Sequence, residues 1–396
     1  MERISLDERR ARIGRRHRLA PSCQAPDPVE AAASLVALHA TDPATVHLSI
    51  AARVPGSAVA STERALYDDR KLIRMLGMRR TLFVLPTPFA PVIQAACTDD
   101  IAVKQRKLLV KHLTEAGIGS DPDASAKWLR AVEESTATAL SLRGSATAQE
   151  LSADEPRLRS RLAMAPGKSY AAQPYVTSRV LFQLSAEGRI VRGRPLGTWL
   201  SGQHQWSPVE NWLPGGATDK PPAAEARISL ARAWLGAFGP GTLADLQWWS
   251  GWTLGQTRKA LAALSAVEVD LEGSTGYVLP GDEAPEAEVE PWVAFLPALD
   301  PTPMGWKDRD WYLGEHKTQL FDNTGNVGPT VWCDGRIVGG WGQPETGEVR
   351  YRLLEDVGAV ASRAIEAEAA RWTSWLAGVR VTPRFRSPLE KALSKR

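Results

Sequence analysis

The chain has 396 residues, a formal net charge of +3, 43% hydrophobic and 23% charged residues; this excludes a chain disordered throughout and predicts roughly two to four domains with ordinary cores. No stretch approaches the roughly 20 apolar residues of a membrane span, and the arginine-dense start lacks the apolar core of a signal peptide, so a cytoplasmic protein is expected. Cys23, Cys97 and Cys333 lie far apart without zinc or disulfide spacing, so neither a disulfide framework nor structural zinc is expected.

Basic residues gather early. Arg9, Arg10, Arg12, Arg15, Arg16 and Arg18 sit in a helix expected over 5–18, while the balancing acid lies far away in "GDEAPEAEVE" at 281–290. That separation predicts a positive face that the net charge conceals. A second helix is expected over 28–40, and "SLVALHATDPATVHLS" at 34–49 then crowds His39, Thr41, Asp42 and His47 into one turn-prone stretch. These are groups that act on a substrate, and equally the polar residues of a helix end with an Asp-Pro turn. A helix near 61–69 leads into "TLFVLP", read as a wing strand, with Arg79 and Arg80 at its start, where wing residues meet phosphates. Lys104, Lys107 and Lys111 share one helix face, opposite Val103, Leu109 and Val110, either to follow a DNA backbone or as the wet side of an amphipathic helix. This first module spans 1–120.

The second, 121–224, opens with "ASAKWLRAVEESTATALSLRG", a helix ended by Gly144, then the short capped helix "ATAQELSA" and "YVTSRVLFQLSAEG", ended by Gly188. "RIVRGRP" begins a strand and tight turn, and Arg189, Arg192 and Arg194 flank it as a possible second wing. The third, 225–282, is the clearest. A helix closes at Gly239 and Pro240, Thr242 and Thr253 cap two more, and "VEVDLEG" and "GYVLP" form a hairpin. Three helices and a hairpin make the winged-helix order, in which Thr257, Arg258 and Lys259 are the groove-reading candidates. Recurrence of that order predicts an α+β fold of about three tandem winged-helix modules.

Residues 283–396 change character. Short β-branched runs separated by "DG", "GG" and "TG" predict a small antiparallel sheet or open barrel, followed by a helix over 359–377 and an irregular basic tail of twenty residues. Trp234, Trp248, Trp249 and Trp252, and Trp292, Trp306 and Trp311, are read as core. No Walker loop, nucleophile elbow or H-E-x-x-H metal helix occurs, so neither a cofactor nor a catalytic metal is expected.

"ASLVALHATDPATVHLSIAAR", "LIRMLGMRRTLFVLP", "FGPGTLADLQWWSGWT", "AFLPALDPTPMGWKDR" and "GPTVWCDGRIVGGW" together resemble the winged-helix DNA-binding family that includes the AlkZ and YcaQ DNA glycosylases. The resemblance covers nearly the whole chain. It implies a C-shaped molecule of three winged-helix modules and a C-terminal β-rich domain gripping duplex DNA. It further implies hydrolysis of the N-glycosidic bond of alkylated purines, interstrand crosslinks included, and places Lys307 and Arg309 near the DNA cleft. The family's Gln-apolar-Gln or Gln-apolar-Asp motif, which holds and activates water, falls on His39-Ala40-Thr41, with Asp42 next.

Loss of a purine passes through an oxocarbenium-like sugar, so a site needs a group that orients or deprotonates water and negative charge near the sugar. His39 fits a water-activating base, Thr41 a water holder and Asp42 an electrostatic stabiliser. No lysine lies in the stretch 34–49 to form a Schiff base, so a monofunctional glycosylase is expected. The alternative is a non-catalytic winged-helix DNA-binding or regulatory protein; a third, a structural protein without DNA contact, predicts no salt-dependent duplex affinity. With no heptad seam or obvious dimer helix, a nucleoid-associated monomer on damaged double-stranded DNA is expected.

Overall fold

The computed structural model describes residues 2–162, 173–216 and 219–395. Two compact units result, one comprising Met1–Leu72, Phe83–Pro86 and Arg227–Arg396, the other Ile73–Leu82 and Thr87–Ala226.

In the first unit the chain starts as a two-residue strand, Glu2–Arg3, parallel to Val267–Leu271. Ser5 caps the helix Leu6–Arg16 by accepting the Glu8 N–H. The helix expected over 28–40 stops much earlier. Asp27 caps Pro28–Ala33, Val36 takes a positive φ of 65°, and Leu38–His39 form a strand against Val84 and Phe83. Burial decides this: Leu35, Val36 and Leu38 are all core residues, and the strand pairing satisfies backbone groups that a longer helix would have paired internally. Asp42 then caps the helix Pro43–Ala51. The helix expected near 61–69 divides into Val59–Glu63 and a π turn, Arg64–Asp68.

The order expected over 225–280 is present. Helices Ala223–Phe238, Leu243–Ser250 and Leu254–Ala263 precede the hairpin Val267–Leu271 and Ser274–Val278. Thr242 and Thr253 each form a reciprocal capping box, and Gly251 ends its helix at φ 77°. Further on, Val293–Leu296, Thr330–Cys333, Arg336–Gly342 and Arg350–Leu353 pair antiparallel in chain order as an open four-stranded sheet, so the barrel alternative does not apply. The helix Gly358–Leu376 buries Trp372, which stacks on Trp341. The tail corrects its expectation: Pro388–Leu393 is a helix capped by Ser387, with Leu389 and Leu393 buried.

The second unit packs Asp99–Glu115, Pro122–Arg143, Ala148–Asp154 and Thr177–Ala186 around Leu113, Leu129, Val132, Leu151, Val180 and Leu184. Its hairpin, Ile190–Pro195 with His204–Pro208, adds Trp206 to that core. Val103, expected opposite the lysines, is instead 57% exposed beside them.

Candidate active site

The stretch 37–45 is a strand, a turn and a helix start. His39 is buried in the strand, its ring edge-on to Phe83 at 5.6 Å. The Thr41 N–H donates to His39 Nδ1 at 3.4 Å, which assigns the proton of the neutral ring to Nε2. Thr41 itself is half-buried. Asp42 is buried, and each carboxylate oxygen accepts a backbone N–H, one from Ala44 at 3.1 Å and one from Arg384 at 2.9 Å. The same carboxylate thus caps a helix and ties down the segment entering the C-terminal helix, which holds the turn rigid. His47, one turn further along, is fully buried in that helix.

Behind the turn lies a polar network that sequence reasoning missed. Thr45 and Ser49 lie four residues apart on one face of that helix, and Arg53 follows at the same spacing just past its end. Thr45 donates to the Ala298 carbonyl; Ser49 donates to Asp300 at 2.6 Å. Arg53 and Asp300 are both fully buried and pair through two guanidinium nitrogens at 2.9 and 2.8 Å. Arg53 also donates to Thr302 Oγ1 and the His17 carbonyl. His17 Nε2 meets the Ala237 carbonyl at 3.0 Å, so it must donate there, and Nδ1 accepts from Thr302. Burial, reinforced by the Arg53 charge, pushes the His17 pKa down to about 3. Asp300 stays below the usual carboxylate range because Arg53 and its hydrogen bonds overcome the cost of burial. The only advance signal was the polar stripe on an otherwise apolar helix.

The AlkZ-like DNA glycosylase family model matches residues 32–375. The chain belongs to the AlkZ-like DNA glycosylase family. The interstrand DNA cross-link repair glycosylase of Streptomyces sahachiroi is 28% identical over 159 residues, 38% of this chain and 43% of that relative. The solved structure of the Streptomyces sahachiroi DNA glycosylase AlkZ superposes with a TM-score of 0.72 at 22% identity, covering 96% of this chain and 99% of that one. The fold is therefore shared along essentially the whole length.

Within this AlkZ-like chain, the basic residues divide by what they already touch. The N-terminal arginines do not form the expected uncompensated face, because the acidic segment lies against them. Arg12 pairs with Glu8 and Asp282, Arg16 with Asp282 and Glu286, and Arg15 with Glu286. Arg309 is held by its own surroundings, over Trp248 at 4.9 Å and Phe321 at 5.1 Å, with Nε donating to the Trp306 carbonyl. Lys307 is exposed, and its backbone N–H is pinned by buried Asp245. Thr257 is fully buried and bonds back to Thr253, so it reads no groove; its neighbours Arg258 and Lys259 are exposed.

The second unit exposes several cations and buries Arg74. Arg79 and Arg80 are exposed at consecutive positive φ values of 52° and 62°, in a turn closed by the Gly77 N–H on the Thr81 carbonyl. Non-glycine residues rarely accept that geometry. Lys104, Lys107 and Lys111 are exposed on their helix, with Lys111 near Glu115. Arg194 is exposed, and Arg192 lies half-buried over Trp206. Among the described residues no cluster of His, Cys, Asp and Glu is arranged to hold a metal, and no helix is long and apolar enough to cross a membrane.

Proposed function

We propose that this chain is a monofunctional DNA glycosylase that hydrolyses the N-glycosidic bond of alkylated or bulky-adduct purines in duplex DNA, with His39-Ala40-Thr41 at the reacting centre. The observation that carries the reading is the buried, doubly anchored turn at 39–42 in a chain of this family. A cationic purine is already a good leaving group, so orienting and deprotonating one water supplies what remains of the chemistry.

The geometry supports a role for each residue. The contact from Thr41 to His39 is longer than an ordinary N–H hydrogen bond and is cheaply exchanged. In the present tautomer His39 Nε2–H orients water; giving up that contact frees the ring to carry its proton on Nδ1 and present the Nε2 lone pair as base. Thr41 holds the water, and the fixed charge of Asp42 favours the developing cation. The nine exposed or partly exposed cations Arg79, Arg80, Lys104, Lys107, Lys111, Arg192, Arg194, Lys307 and Arg309 are the proposed phosphate contacts. The crosslink named for the Streptomyces relative is one bulky lesion to assay. A non-catalytic DNA-binding protein of the same fold is the alternative, favoured by histidine standing where the family resemblance expects glutamine.

Release of N7-methylguanine and of a bulkier N7 adduct from duplex DNA decides between them. His39→Ala is expected to lose about 100-fold or more of the rate. His39→Gln, which orients water without taking its proton, is expected to keep part of the activity and lose the decline on the acid side of the pH profile. Salt-sensitive binding without base release by the unaltered chain would leave the non-catalytic reading.

A further inference from the structure

Among the described residues Arg9 and Arg74 are the buried arginines without an ion pair; Arg9 lies 3.9 Å over the Trp311 ring, whereas Arg74 has no such aromatic partner. Arg74 is 5% exposed in the strand Leu72–Leu76, its Nε makes no hydrogen bond, and no carboxylate lies within ion-pairing distance among the described residues. Arg12 and Arg53, buried to the same degree, each face a carboxylate. An unpaired guanidinium is expensive to bury, so one that persists is held for a partner that arrives later.

Its surroundings define that partner. The charged groups facing His204 are Arg192, from its own hairpin, and Arg74, from the strand. Trp206 is the shared platform: the Arg192 guanidinium lies 5.4 Å above its ring and the His204 ring meets it edge-on at 4.9 Å. His204 Nδ1–H donates to the Gly202 carbonyl at 3.1 Å, which leaves Nε2 as a buried acceptor with no hydrogen-bond partner. Burial, with Arg192 and then Arg74 adding to it, pushes the His204 pKa down to about 4. Three groups able to carry positive charge thus converge, and two buried nitrogens go unsatisfied.

We infer that Arg74, Arg192 and His204 form a phosphodiester pocket that seats one backbone phosphate of bound DNA. The inference rests on the DNA-acting reading above. A phosphate oxygen accepts from Arg74, its charge favours protonation of His204 by one proton from solvent, and Nε2–H then donates to a second oxygen. Binding is therefore linked to proton uptake, and duplex affinity rises as the pH falls through the bound-state pKa of His204.

The test uses the full chain and Arg74→Met, which keeps the stem and removes the charge. The salt dependence of duplex affinity is expected to lose about one unit of slope in log K against log salt. The melting temperature without ligand is expected to stay level or rise. A steep fall in melting temperature would make Arg74 a structural residue and overturn the pocket, as would an unchanged slope and affinity. Inorganic phosphate supplies an independent arm: it should raise the NMR titration midpoint of His204 in the unaltered chain and not in Arg74→Met, and no rise in the unaltered chain overturns the pocket. If the unaltered chain fails to bind duplex at all, the glycosylase reading and the DNA clause fall together, while the phosphate response still decides whether the three residues hold an anion.

Discussion

His17 shows how far one buried residue can set the behaviour of the whole fold. It is fully buried, with a pKa near 3 against about 6.5 for the unfolded chain. Between those values the unfolded state binds the extra proton, so stability is intact above pH 6.5 and falls by about 1.4 kcal/mol per unit as the pH drops toward 3. His17→Gln, which cannot take up that proton, is expected to flatten chemical-denaturation stability over the acid part of that window. Arg53 and Asp300 are a harsher case. Arg53→Met leaves Asp300 buried and uncompensated, and a loss of about 3–5 kcal/mol in urea denaturation is expected; a loss below 1 kcal/mol would mean that the pair is not buried as described. At Asp42, removal of a helix cap alone costs about 1 kcal/mol, and Asp42→Ala also frees the Arg384 N–H.

At the scale of elements, the helix Leu6–Arg16 illustrates how charge can be read and misread. Its arginines are conspicuous in sequence, yet Arg12, Arg15 and Arg16 are matched by Glu8, Asp282 and Glu286. Replacing Arg15 and Arg16 by Gln is therefore expected to leave the salt slope of duplex binding unchanged, whereas the same change at Arg79 and Arg80 should reduce it by about one unit per phosphate lost. A slope that falls equally in both variants would show that the N-terminal helix meets DNA. The C-terminal helix Pro388–Leu393 packs on the four-stranded sheet close to Gly340 and Gly342, where leucines 389 and 393 leave no room for larger residues. Truncation before Arg384 should lower the melting temperature and, by releasing Asp42, slow base release as well.

For the whole molecule, the elements that were legible are those whose signals are local. Gly144, Gly188 and Gly251, the Thr242 and Thr253 capping boxes, and the hairpin after residue 266 all follow from backbone geometry and hydrogen bonds within a few residues. The family, too, was legible, because several of its stretches survive in order. The turn at His39, Thr41 and Asp42 could be named from sequence, but its double anchoring could not, since Arg384 lies 342 residues away. The break at Val36 was invisible for a related reason: residues 34–40 have helix-compatible composition, and only pairing with Phe83 and Val84 makes a strand cheaper. Sequence by itself thus determined which residues form most helices and hairpins and which chemistry is available, because caps, turns and periodicity act over short distances. Only the tertiary structure decided which charges are spent and which are left over. Arg53 meets Asp300 and Arg16 meets Asp282 across more than 240 residues, while Arg74 meets no carboxylate among the described residues, and no local pattern distinguishes them because pairing depends on where the folded chain brings the acid.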